Sequence, residues 1–426
     1  MVQLLDEWMP VISGSELNDD PLNPISKFGI EMIETHRDAT PIDWVHRNER
    51  YTEKLATPDV SIADLIGDAD PIKAATLKLP YSDERVIHFG LIPRSHRCLF
   101  VINELPDLQA RIQVSLFNIL QEGDIQIRGF KVRLPLDIQF IFTANPEDYT
   151  NRGSIVTPLK DRIDSQIITH YPEHIQTSKE ITRQEARILP GQEQIYVPEL
   201  ARNLVEEIAF QARKSEFVDA KSGVSARLTI AAIENLLSTV ERRMILNGES
   251  KGTVRMADFD GAVPAITGKV ELVYEGEQEG AGIVARNLIS KAIREQFLNY
   301  FSDPENVKKS KKGVSVSKYQ TITDWFESGQ VVDLLNEAPE DQYLKVLDTI
   351  PNLQEMVRSS VPNLKEKDLH FYKELLLFGL AEFNVISKQT LVKRTQFSDM
   401  MSGMFKSKLS SKDGDEGYGY YEDADK

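Results

Sequence analysis

The run Cys98-Leu99-Phe100-Val101-Ile102-Asn103-Glu104 decides the fold. Its first five residues are apolar without interruption, too continuous for an alternating edge strand, so a strand buried on both faces is expected. It ends in an amide and a carboxylate. A second buried strand is read over Asp137–Ala144, where Phe140-Ile141-Phe142-Thr143-Ala144 runs into Asn145-Pro146. A third, Gln166-Ile167-Ile168-Thr169, stops at Tyr171-Pro172. Between the first two lies a helix over Pro106–Gln121, with Leu108, Ile112, Leu116 and Ile119 on one face, proline near its start and Gly123 past its end. Asp124–Arg128 and Lys131–Leu134 alternate around Gly129 as a hairpin. Strands alternating with a helix predict an α/β class with a parallel sheet. The polar strand ends then share its carboxyl edge, where such sheets bind ligands.

Working outward, Pro10–Gly14 reads as a short strand, and Asp20–Gly67, rich in Pro, Asp and Asn, as an irregular excursion with short helices. From Ser178 to about Val270 the pattern is all-helical, with amphipathic runs at Pro198–Lys214 and Ser225–Asn247, the second followed by Gly248. Another helix spans 282–301, with Val284, Leu288, Ala292 and Phe297 near one stripe. Lys308, Lys309, Lys311 and Lys312 mark a linker, and 319–396 reads as helical, ending in Lys365–Lys388. The tail Lys412–Lys426, rich in Gly, Asp, Glu and Tyr, is expected to be disordered. The predicted organisation is an α/β core over 1–172, a helical lid domain over 173–272, a further helical C-terminal domain over 273–396, and an acidic tail over 397–426.

Composition narrows the function classes. The chain has 426 residues, 41% hydrophobic and 27% charged, with a net charge of −16. That balance disfavours a sequence-independent grip on DNA, which needs a dominant basic surface. The one cysteine, Cys98, sits in an apolar run, so it reads as a core thiol and no internal disulfide forms. No apolar stretch reaches 18 residues, so no membrane span is expected, and the first residues do not read as a secretory signal. A cytoplasmic location is the expectation. The seven histidines show neither H-E-x-x-H nor Cys/His metal spacing.

Four residues are candidates for chemistry. Glu104, at a strand end, can polarise an attacking water. Asn145, ending the next strand, can hold the same water or a terminal phosphate, although Asn-Pro is also a common turn opener. Arg162, in Pro158-Leu159-Lys160-Asp161-Arg162, is a cation able to reach a neighbour's γ-phosphate, or to pair with Asp161 or Asp164. Arg227, in Ser225-Ala226-Arg227, is a cation in a helix's first turn, mildly unfavourable with the dipole. Arg152, in Asn151-Arg152-Gly153, is an alternative to Arg162.

Taken in order, these motifs resemble the AAA+ ATPases, in particular the magnesium-chelatase subunit I and MoxR-like branch. Asn103-Glu104-Leu105-Pro106-Asp107-Leu108 is similar to a Walker B region. Phe142-Thr143-Ala144-Asn145-Pro146 is similar to sensor 1, Pro158–Arg162 to the arginine-finger region, and Ser225-Ala226-Arg227 to the second sensor. Gly123–Leu134 is similar to the branch's hairpin insertion. The resemblance covers roughly residues 1–270 and extends more loosely to about 390. It implies an AAA+ parallel core with a helical lid, ATP and Mg²⁺ as cofactors, a homo-oligomeric, hexameric ring, and a von Willebrand factor A-type partner chain. It also implies roles. Glu104 activates water, Asn145 positions it, Arg162 acts in trans, and Arg227 reports nucleotide to the lid. Asn103 supports Mg²⁺ indirectly, and Arg152 joins the nucleotide contacts.

Two departures qualify this. The branch's Walker B Asp is Asn103 here, an oxygen without the charge that Mg²⁺ favours. No G-x-x-x-x-G-K-[ST] phosphate loop occurs; Gly261–Val270 has the wrong spacing and no hydroxyl. The resemblance places that loop, and the central first strand, ahead of Met1, with Met1–Trp8 as the end of the following helix. The expectation is therefore an incomplete core, and ATP hydrolysis by the full-length form but little by this chain alone. The alternatives are a non-catalytic interaction scaffold that keeps the fold, or an enhancer-dependent transcription regulator, for which neither a GAFTGA-type loop nor a DNA-binding helix pair is seen.

Overall fold

The computed structural model describes residues 1–80, 83–127, 133–145, 154–305, 318–391 and 393–400. The chain forms two compact units, Met1–Ile168 and Thr169–Lys426. The first is α/β and the second largely helical.

The first unit is built on a three-stranded parallel sheet. β1 (Trp8–Ile12), α1 (Lys27–His36) and β2 (Ile42–His46) precede it, and β3 (Tyr51–Leu55) opens it. There follow α2 (Ile62–Leu65), β4 (Gly67–Ala69), α3 (Pro71–Leu77), β5 (Ile87–Phe89) and α4 (Leu91–Arg94). β6 (Cys98–Asn103) is the middle strand, with Cys98–Ile102 all buried. After α5 (Ala110–Ser115), α6 (Phe117–Glu122) and the antiparallel pair β7 (Asp124–Gln126) and β8 (Arg133–Pro135), β9 (Ile138–Phe142) completes the sheet, and α7 (Thr157–Lys160) follows it. The order is β3-β6-β9, with Leu55 beside Asn103 and Ile102 beside Phe142. Leu108, Ile112, Leu116 and Ile119 cover one face of the sheet, each worth roughly 1.5–3 kcal/mol of burial.

Several expectations are corrected here. The helix over Pro106–Gln121 is a 3₁₀ turn at Leu105–Asp107 and two short helices broken at Leu116, although its apolar face is as read. Pro10–Gly14 is not a strand of the parallel sheet; β1 pairs antiparallel with β2 in a separate ribbon. Met1–Trp8 is no helix end, since only Val2–Leu4 makes a 3₁₀ turn. The supposedly irregular Asp20–Gly67 supplies α1, β2 and the sheet strand β3. Buried Asp19 organises its start by accepting from Ile25 N (2.7 Å), Ser26 N (2.8 Å) and Ser15 Oγ (2.6 Å). Burial raises its carboxyl, but these bonds and that from Ser26 Oγ outweigh burial and hold it below the ordinary value. Gln166–Thr169 is not a strand: Ile167 and Ile168 are each 80% exposed and no described strand lies beside them. β9, read as a buried strand, is half-buried, because its outer edge has no partner among the described strands.

The second unit contains α8 (Ile175–Glu185), β10 (Ile195–Tyr196), α9 (Glu199–Lys214), α10 (Arg227–Asn247), β11 (Gly252–Thr253), α11 (Val263–Thr267), α12 (Tyr274–Glu279) and α13 (Ala281–Tyr300). It continues through α14 (Gln320–Glu327), β12 (Val332–Leu335), α15 (Glu340–Asp348), α16 (Leu353–Ser360), α17 (Leu369–Glu382), β13 (Ser387–Leu391) and β14 (Arg394–Ser398). One buried cluster runs from Ile195 to Phe397, so the segments read as lid and C-terminal domain share a core. Gly248 closes α10 with φ +67°, a left-handed cap. The stretch 319–396 is not wholly helical: β12, β14 and β13 form an antiparallel sheet. The lysine linker, the hairpin turn and the tail from 401 lie outside the described residues.

Candidate functional site

Because β6 and β9 are parallel neighbours in register, their last residues emerge together at one edge. Thr143 stitches those ends. Its N–H donates to Ile102 O (3.0 Å), and its carbonyl accepts from Leu105 N (2.9 Å). Its hydroxyl oxygen accepts from Glu104 N (3.1 Å) and donates to Asn103 Oδ1 (3.1 Å). Glu104 turns the chain out of β6 with φ +55° and ψ +50°.

On the other side, Asn103 Nδ2 donates to Glu53 Oε1. Glu53 pairs with Val101 and Asn103 with Leu55, so the two side chains are diagonal neighbours on one face. Tyr51 Oη donates to Glu53 Oε2 at 2.9 Å, and that bond, foremost, raises the phenol above its ordinary value. Sequence reasoning missed Glu53 and gave Thr143 no role. The alternation of Tyr51–Leu55 was the available signal, but the diagonal contact needs the register.

The edge thus brings Glu104 and Asn145 to the ends of adjacent strands, with Asn103 between Glu53 and Thr143. No hydrogen bond or ion pair among the described residues engages the Glu104 carboxylate or the Asn145 amide. Arg162 is directed elsewhere. Its Nε and Nη2 donate to Gln121 Oε1 (3.1 and 2.8 Å), Nη1 donates to Pro158 O (2.7 Å), and the guanidinium lies 4.8 Å from the Phe117 ring centre. Neither Asp161 nor Asp164 pairs with it. Arg227 begins α10 in the other unit, exposed, with no side-chain partner among the described residues. Arg152 lies outside the described residues.

For ATP with Mg²⁺ the donor set fits in part. Glu104 and Asn145 offer a carboxylate and an amide without partners among the described residues, whereas both ends of the Asn103 amide are already bonded to Glu53 and Thr143. No cluster of three or more metal-ligating side chains occurs among the described residues. An open depression of 630 Å³ includes Lys54, Asp64, His88 and Arg94; Lys54 alternates with Glu53 and so belongs to the opposite sheet face. Its Asp64 is committed to the Ser61 capping box. No described helix is long and apolar enough to cross a membrane.

No family model matches the sequence, and no curated protein matches it. Solved structures are similar to parts of it, among them the following three. A candidate ATPase from Cytophaga hutchinsonii is 19% identical, covering 57% of this chain and 76% of its own, with a TM-score of 0.24. NtrX from Brucella abortus is 13% identical over 58% of this chain and 52% of its own, with a TM-score of 0.32. A complex of magnesium chelatase subunits BchI and BchD built on cryo-EM data is 18% identical over 65% of this chain and 84% of the matched chain, with a TM-score of 0.31. These scores are low, and the parallel α/β core with its largely helical second unit stands on the strand registers and helices given above.

Proposed function

We propose that this chain is an AAA+ ATPase-type subunit, resembling the magnesium-chelatase and MoxR-like branch, whose ATP turnover remodels a partner or aids metal insertion. The observation that carries this is the stitched edge of β6 and β9, where Glu104 and Asn145 follow adjacent parallel strands and their side chains have no hydrogen-bond partner among the described residues. In this reading Glu104 takes the proton of an attacking water, Asn145 orients that water, and Arg227 answers nucleotide from the lid. Bound Mg²⁺ would neutralise phosphate charge. A homohexameric ring, a cytoplasmic location and a von Willebrand factor A-type partner belong to the same proposal.

The outer edge of β9 supports a further part of it. Ile138, Phe140 and Phe142 make one face of β9 apolar, and Ile141 shares the other with exposed Gln139, a mostly apolar run that suits an internal parallel strand. We place one more parallel strand on that edge as part of the same proposal.

The test is ATP binding and hydrolysis by the full-length gene product, with and without Glu104→Gln. The substitution keeps binding and removes turnover by roughly 10²–10⁴-fold. Equal turnover in both proteins would end this reading. One observation favours a second reading, a non-catalytic scaffold: Arg162 is occupied by Gln121, Pro158 and Phe117 of its own unit. A scaffold predicts no ATP binding by calorimetry at all.

A further inference from the structure

The hydrogen bonds that involve side chains at the end of the sheet run toward Glu53. Glu104 N donates to Thr143 Oγ1 at 3.1 Å. The Thr143 hydroxyl donates to Asn103 Oδ1 at 3.1 Å. Asn103 Nδ2 donates to Glu53 Oε1, and Tyr51 Oη donates to Glu53 Oε2 at 2.9 Å. A carboxylate has only acceptors to offer, so Glu53 fixes which way the Asn103 amide faces. That amide fixes the Thr143 hydroxyl, which in turn accepts the Glu104 amide. Hydrogen bonds running in series toward an anion strengthen one another.

From this we infer that Glu53 is a positioning residue for Glu104, acting through Asn103 and Thr143, and that Asn103 is the side chain this arrangement requires. An aspartate at 103 has no N–H to give. It would set a second carboxylate against Glu53, and it would leave the Thr143 hydroxyl serving one anion while the two carboxylates repel. The charge of this sheet edge therefore belongs to β3, one strand away from where the sequence motif locates it. The inference rests on the reading of Glu104 as the water-activating group only for its catalytic consequence; the relay itself does not depend on nucleotide.

Two substitutions, singly and together, test it: Asn103→Asp, and Glu53→Gln, which keeps an acceptor for Asn103 without the charge. Asn103→Asp alone lowers the melting temperature by roughly 2–4 °C and speeds hydrogen exchange at the Glu104 amide by about tenfold. Adding Glu53→Gln restores both, because the carboxylate has then moved from β3 to β6 without a like-charged neighbour. A loss from Asn103→Asp that Glu53→Gln leaves unrelieved overturns the inference, as does a Glu104 amide whose exchange ignores both positions. ATP turnover is read separately. Glu53→Gln lowers kcat with little change in KM if Glu104 is the base. If the unmodified protein binds no nucleotide, the proposed function fails while the melting and exchange measurements still decide the relay.

Discussion

Glu374 shows how one residue's surroundings set a pH response. It is buried on α17 beside Tyr343 of α15, whose hydroxyl donates to it, and Met256 N lies 3.3 Å from each carboxylate oxygen. Arg255 sits over the Tyr343 ring at 4.1 Å, and Asp258 adds a like charge. Burial dominates, and the carboxyl is pushed up to about 8. A raised acid binds its proton in the folded state while the unfolded chain has already lost its own. Stability from this group is therefore greatest below the unfolded value, near 4.5, falls as pH climbs, and levels off above about 8. Glu374→Gln cannot ionise. Its stability relative to the unsubstituted protein is expected to rise steadily from pH 5.5 to pH 8 in urea unfolding; a constant difference would refute the assignment.

At the scale of elements, α13 and α17 approach closely at Gly379. A Cβ there would lie 2.1 Å from the Phe297 ring. Helix propensity alone says Gly379→Ala should gain about 1 kcal/mol. Overpacking says it should lose roughly 1–3 kcal/mol. The ring is fully buried and boxed in by Phe301, Tyr319 and Phe383, so it has little room to yield and packing should win. Thermal unfolding of Gly379→Ala reads the sign directly. Elements also divide what could be read from the chain. β6 was legible because an unbroken apolar run at that length has few other readings. The edge strand β3 was not, because Tyr51-Thr52-Glu53-Lys54-Leu55 hides its alternation among charges in a Pro- and Asp-rich neighbourhood. β12, β13 and β14 were absorbed into a helical reading of 319–396, because strands of four or five residues among helices offer too few positions to tell a period of 2 from one of 3.6. Strand-end groups such as Glu104 and Asn145 follow from one strand each. Glu53 needed two strands and their register.

For the whole molecule, the first unit has a parallel sheet whose apolar outer strand is uncovered among the described residues, and two isoleucines of the same unit stand in solvent. Exposed singly, Ile167 and Ile168 hold little stability, so the double change Ile167→Ser/Ile168→Ser should move the unfolding free energy of this chain by no more than about 0.5 kcal/mol. In the full-length gene product, the same change should cost several times more if those side chains cover a completed sheet. Matching small effects in both forms would mean that nothing closes over them.

The left-handed turn at Glu104 has one more implication, for anyone trying to improve the protein. For an L-residue that conformation is disfavoured by roughly 1–2 kcal/mol, and glycine would adopt it freely. A screen that rewards heat resistance alone will thus tend to discover glycine at this position, and its best-surviving clones will be the ones that have discarded the acid.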